Sequence, residues 1–259
     1  MKRVGLTIAY DGTNYVGWQI QKNGLAVEEV INRKLSELTG EQIVVIGASR
    51  TDSGVHARGN VAVFDTESSI PAEKFSYALN QRLPEDIRIQ ASYPLPQDFH
   101  PRYQDHITKT YEYRILNAHF EMPMDRNYTH YVFMPLDVSK MKQATKYIVG
   151  EHDFKSFCSM HTQVQTTVRT VYELEVEKTG DIITIRVAGN GFLYNMVRII
   201  VGTLIKVGLG VYPPEHVEEI IAGKDRKLAG PKVPAKGLSL IEIKYEDYDG
   251  KEEKIVDTK

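Results

Sequence analysis

The sequence predicts an α+β fold with largely antiparallel strands. Three observations carry that reading. Residues 3–10 and 108–116 alternate apolar and polar side chains, as half-buried strands do; Val27, Val30, Ile31, Leu35 and Leu38 recur at helical spacing; and Thr179-Gly180-Asp181 separates two strand-like runs as a hairpin turn. Two successive series of strands and helices imply sheets with the helices gathered on one face.

Taken in order, residues 3–10 make the first strand, and Gly40 stops the helix that begins near Val27. The β-branched run at residues 42–47 reads as a buried strand over about 42–48, with a partner at 59–65 beyond a polar loop. Pro71 opens a helix through Leu79, and a short strand covers 87–92. Residues 94–106 hold Pro94, Pro96 and Pro101 with little periodicity, so a domain junction is expected there, dividing the chain into 1–105 and 106–259. In the second half, Ser139 is expected to cap a helix through Val149, strands at 168–176 and 182–187 pair as a hairpin, and Pro213 starts a short helix ending at Gly223. Residues 238–245 form the closing strand.

Composition narrows the function classes. With 42% hydrophobic and 25% charged residues in 259, the chain is globular rather than disordered. Its single Cys158 excludes an intrachain disulfide and a cysteine-based zinc site, and suits a reducing compartment. The opening Met1-Lys2-Arg3 leads straight into a strand without the apolar stretch of a secretory signal, so cytoplasmic residence and no membrane partner are expected. A net charge of −2 leaves no global basic footprint, so any nucleic-acid site has to be local. The acidic segment 246–257 offsets basic residues in that total and is expected to lie away from such a site.

Two features stand out chemically. The loop Ala48-Ser49-Arg50-Thr51-Asp52-Ser53-Gly54-Val55-His56-Ala57 sets one carboxylate among small residues, cations and a histidine at a strand end, where chemistry is often carried. An Asp that merely caps the turn is the plain alternative. Far along the chain, residues 192–207 are apolar nearly all round yet carry Arg198, on a run too short to span a bilayer. A guanidinium in a buried helix keeps its charge and needs a partner, for which Asp52 is the candidate; snorkelling, or pairing with Asp153 or Glu173, is the competing arrangement.

These segments resemble the TruA family of tRNA pseudouridine synthases. Arg50 to Ala57 is similar to its catalytic motif, Tyr10-Asp11-Gly12-Thr13-Asn14-Tyr15-Val16-Gly17-Trp18-Gln19 to its first-strand motif, and Lys109-Thr110-Tyr111-Glu112-Tyr113 to the strand bearing its active-site tyrosine. Asn195 to Leu204 resembles its late helix, and Pro234-Ala235-Lys236-Gly237-Leu238-Ser239-Leu240 its last element. One departure is Ser49, where the family commonly carries Gly, a change that bears on the backbone angle and hence on the aim of Asp52. The resemblance implies two similar α/β-sandwich halves with mostly antiparallel sheets joined into one central sheet, the active cleft between them. It also implies a homodimer acting on uridines 38, 39 and 40 of the tRNA anticodon stem-loop.

The chemistry so implied needs no cofactor or metal: the C1′–N1 bond of uridine breaks, the uracil turns, and C5 joins C1′. A carboxylate can serve by attack at C1′ or by helping C2′ lose a proton, and both routes remain open for Asp52. Tyr111 and Tyr113 share one strand face; the resemblance assigns Tyr111 to stacking on a flipped base and to proton transfer, while Tyr113 reads as packing. Arg198 completes the catalytic set. Arg50 is expected to hold a phosphate or fill the gap left by the base, and His56 and Arg58 to meet the RNA backbone. Further cations weighed for RNA contact are Lys22, Arg102, Lys109, Arg114, Arg126 and Arg169. Three other classes compete. The eight His form no ligand motif for a metal hydrolase, Gly54 stands where an aspartyl-phosphate phosphatase wants a second acid, and a non-catalytic RNA-binding module leaves the Asp52–Arg198 match unexplained.

Overall fold

The computed structural model describes residues 1–104, 106–159 and 165–246. Ten strands make one sheet in the order β4-β1-β3-β10-β5-β9-β8-β7, with β2 on β3 and β6 on β5. The strands are β1 Lys2–Tyr10, β2 Ile46–Gly47, β3 His56–Thr66, β4 Ile87–Leu95, β5 Ile107–Leu116, β6 His130–Tyr131, β7 Gly150–Asp153, β8 Val168–Thr179, β9 Ile182–Gly189 and β10 Leu238–Tyr245. The helices are α1 Val27–Thr39, α2 Phe75–Asn80, α3 Val138–Thr145, α4 Met196–Gly208 and α5 His216–Gly223.

Most pairings are antiparallel, as expected, and β10 joins the two series. It lies antiparallel to β5 (Leu240 opposite Tyr111) and parallel to β3 (Ser239 opposite His56, Leu240 opposite Ala57). The last strand thus sits at the middle of the sheet, where a one-residue slip would turn its buried Leu238 and Leu240 to the wrong face. Buried residues of all five helices fall in one continuous apolar cluster with residues of β1, β3, β5, β8 and β9. A smaller cluster around Val61, Val63, Phe99 and Tyr245 closes over other strand residues.

Local chemistry accounts for the boundaries. Gly40 ends α1 in the left-handed region (φ 74°), and Gly180 (φ 58°) turns the β8–β9 hairpin. β4 runs on through Pro94 to Leu95, which its place at the sheet edge permits. Three expectations need correction. The expected strand at 42–48 pairs only at Ile46–Gly47, because Val44 is exposed and Ile43 and Val45 pack without a ladder partner. Asp137, not Ser139, caps α3 by accepting from the Lys140 N–H, and α3 ends at Thr145. The apolar run at 192–207 becomes helical only from Met196, with Asn195 left-handed (φ 62°) at its start. Beyond Glu246, the acidic C-terminal segment lies outside the described residues.

Candidate active site

A cleft of about 790 Å³ opens between the 48–55 loop, β5 and the start of α4. Two glycines fix the loop. Gly17 (φ 105°) lets the Trp18 N–H reach the Thr51 carbonyl at 3.1 Å; a β-carbon on Gly17 would fall 2.3 Å from that oxygen. Gly54 (φ 78°) makes the tight turn in which the Val55 N–H donates to Asp52 O at 3.1 Å. Beneath the loop, buried Asn60 donates to Ser49 O at 3.1 Å, and the Tyr10 hydroxyl bonds Thr51 Oγ1 at 2.8 Å. The loop is therefore held by its backbone, and Asp52 is left with its side chain about a quarter exposed (27%).

Arg198 meets that carboxylate. Its Nη1 lies 3.4 Å from Asp52 Oδ2 and 3.1 Å from Asn195 Oδ1, while Nε donates to Val233 O at 2.7 Å. Snorkelling and the Asp153 and Glu173 pairings give way to this arrangement, and Asp153 pairs instead with Lys224 at 3.0 Å. Burial pushes the Asp52 carboxyl above its usual range, and nearby Arg198 and more distant Lys232 offset part of that rise. The left-handed turn at Asn195 sends its amide to Arg198 on one side and, through Nδ2, to Ser159 Oγ at 2.8 Å on the other. Asn195 opens the segment that resembles the family's late helix but has no site role assigned from the sequence; its place one turn before a core arginine is the local signal for one.

Tyr111 closes the inner wall. It is 7% exposed, set edge-on to Phe192 with ring centroids 5.4 Å apart, and its hydroxyl bonds Ser49 Oγ at 2.9 Å. Burial above all, with the Asp52 charge, pushes the phenol up to about 12, so at neutral pH it is a donor and not a phenolate base. Ser49 adopts no positive φ, and the residue that departs from the family pattern therefore adds a hydroxyl beside Tyr111 without bending the loop. Tyr113 is fully buried and donates to Pro234 O at 2.8 Å, in keeping with packing.

The cations divide. Among the described residues, Arg50, Arg102, Lys109, Arg169 and Arg198 line the cleft against a single carboxylate, Asp52. Arg50 is exposed at its mouth and, among the described residues, makes no ion pair with Asp52. Lys22, Arg114 and Arg126 do not line it. His56 and Arg58, expected on the RNA backbone, do not line it either. His56 is 5% exposed: its Nδ1 accepts from the Gly12 N–H at 3.0 Å, and Nε2 faces the Asn127 and Lys236 carbonyls at 3.0 and 3.1 Å. That ring ties three chain segments together, which no pattern local to residue 56 reveals. Arg58 is exposed on β3. Among the described residues no His, Cys, Asp and Glu cluster could hold a metal ion, and no helix is long and apolar enough to cross a membrane.

A partly buried carboxylate–guanidinium pair in a basic cleft suits a reaction on a polyanion, and comparison with known proteins points the same way. The pattern of a family described as tRNA pseudouridine synthase matches residues 6–104 and 144–246. A tRNA pseudouridine synthase A of Ruminiclostridium cellulolyticum is 51% identical over 246 residues, covering 95% of this chain and all of the relative. Its counterparts from Thermoanaerobacter sp. (strain X514) and Clostridium acetobutylicum are each 49% identical over 245 residues, with the same coverage. Among solved structures the likeness to a chain of a Cbf5-Nop10-Gar1 complex is slight, with a TM-score of 0.32 and 14% identity over 92% of this chain and 47% of that one. Such identity along nearly the whole length leaves one assignment: the chain belongs to the tRNA pseudouridine synthase family, in its TruA branch, and is an isomerase.

Proposed function

We propose that the protein converts uridine to pseudouridine at positions 38, 39 and 40 of the tRNA anticodon stem-loop. The observation that carries this reading is the Asp52–Arg198 pair, set in a cleft whose other charged groups, among the described residues, are all cations. A stacked uridine has to swing out before its sugar bond can be reached, and the cleft is open enough to admit a base. Asp52 then acts at the sugar, the C1′–N1 bond breaks, and the detached uracil turns within the pocket. C5 bonds to C1′; the C5 proton departs and N1 takes one up, so no atom is gained or lost. Tyr111, a neutral donor beside Asp52, takes part in that proton movement. Arg198 holds Asp52 in its charged form and in place.

The halves 1–105 and 106–259 act together, the first bearing Asp52 and the second Tyr111 and Arg198. A cytoplasmic homodimer is the working unit, in which one subunit holds the tRNA body while the other presents the cleft. Mapping of pseudouridine in unmodified tRNA incubated with the protein tests the assignment. New pseudouridine confined to 38–40 supports it; binding without conversion favours a non-catalytic RNA-binding module.

A further inference from the structure

Asp52 and Arg198 answer one another's charge, yet four more cations line the same cleft. Three of these are held by backbone carbonyls. Arg102 Nε donates to Gly47 O at 2.6 Å, Lys109 Nζ to Ala48 O at 3.0 Å, and Arg169 Nη1 to Thr166 O and Val168 O at 3.0 and 2.6 Å. A carbonyl orients a cation without neutralising it. Among the described residues, both terminal nitrogens of Arg102, two ammonium hydrogens of Lys109 and Nη2 of Arg169 have donors to spare. Burial, followed by the charges of Arg102 and Arg169, lowers Lys109 to about 8, and an anion among the three would relieve that repulsion.

The location says which anion. Lys109 precedes Tyr111 by two residues on β5, so both project from the same face, about 7 Å apart along the strand. That is the reach of one nucleotide from phosphate to base. Arg102 and Lys109 also grip the carbonyls of Gly47 and Ala48, where the chain enters the loop that carries Asp52.

We propose that Arg102, Lys109 and Arg169 form a phosphodiester subsite that grips the RNA backbone beside the extruded uridine. It rests on the isomerase reading above and names the part of the substrate that these residues recognise. Forked guanidinium donors suit the paired non-bridging oxygens of a phosphodiester, and a contact to that unreacting group is made alike before and during the reaction, so it acts through binding.

Arg169→Gln is the variant of choice, because Arg169 does not hold the 47–48 carbonyls. The substrate is an anticodon stem-loop RNA carrying an uncharged methylphosphonate at one phosphate flanking the target uridine. Arg169→Gln should raise KM for the unmodified RNA about tenfold with kcat retained, the loss expected for one charge-assisted contact. Arg169→Lys should recover much of it. In the wild type one of the two methylphosphonates should raise KM similarly, and combining it with Arg169→Gln should add little. Losses that multiply, or a KM indifferent to both changes, would overturn the subsite while conversion by the wild type left the isomerase reading standing. No conversion of any RNA would remove the isomerase reading, and the subsite with it.

Discussion

Arg198 Nη1 and Asp52 Oδ2 stand 3.4 Å apart although 146 positions separate the two residues in sequence. One contact thereby accounts for two features that are unfavourable alone: a guanidinium on a core helix and a carboxylate in a cleft pushed up by burial. Because Arg198 also donates to Val233 O and Asn195 Oδ1, it remains fixed from two further sides.

Removing the guanidinium should therefore harm fold and reaction together. Arg198→Ala leaves Asp52 without its nearest cation and frees the Val233 carbonyl, at a cost of about 3 kcal/mol in urea unfolding. Activity should be lost as well. A well-folded Arg198→Ala protein with full activity would remove the pairing from the account.

Asp52→Asn should behave in the opposite way for stability. The folded-state carboxyl is raised above its unfolded value, so folding holds the proton more tightly than the unfolded chain does. Charged Asp52 accordingly costs stability above the unfolded pKa, and the cost fades as pH falls through the raised folded value. Thermal melts should show Asp52→Asn more stable than wild type at pH 7, with the gap closing in acid. A variant that melts well below wild type at pH 7 would contradict this sign.

Tyr111→Phe keeps the ring against Phe192 and deletes the hydroxyl that bonds Ser49. Single-turnover rates should fall about a hundredfold while tRNA affinity holds, as expected for loss of a positioned proton donor. Undiminished turnover would refute the proton role and leave packing and stacking intact.

Affinity for tRNA should depend on salt. One phosphate held by Arg102, Lys109 and Arg169 together and a second met by Arg50 give the cleft alone a log–log slope of about −1.5. Filter binding across a salt series measures it, and a flat response would contradict phosphate contact in the cleft.

Much of this was legible in the sequence because it rests on local chemistry. Gly40 and Gly180 end elements where φ turns positive, and the apolar run around Arg198 demanded a counter-ion whatever the topology. The rest depends on distant segments meeting. Nothing near residue 240 says that β10 will lie parallel to β3 and antiparallel to β5 at once. His56 looked like an RNA ligand in its motif, but backbone groups of Gly12, Asn127 and Lys236 converge on its ring. The Ser49–Tyr111 bond likewise exists only because β5 brings residue 111 beneath the loop. In the 42–48 run the β-branched pattern was real, yet only two residues found a ladder partner.

Release of tritium from tRNA labelled at C5 of uridine is the most direct measurement of the claim that Asp52 carries the isomerisation. Wild-type protein should release the label in step with pseudouridine formation, whereas Asp52→Asn should bind the same tRNA with similar affinity and release none. Label released by Asp52→Asn at the wild-type rate would contradict the account.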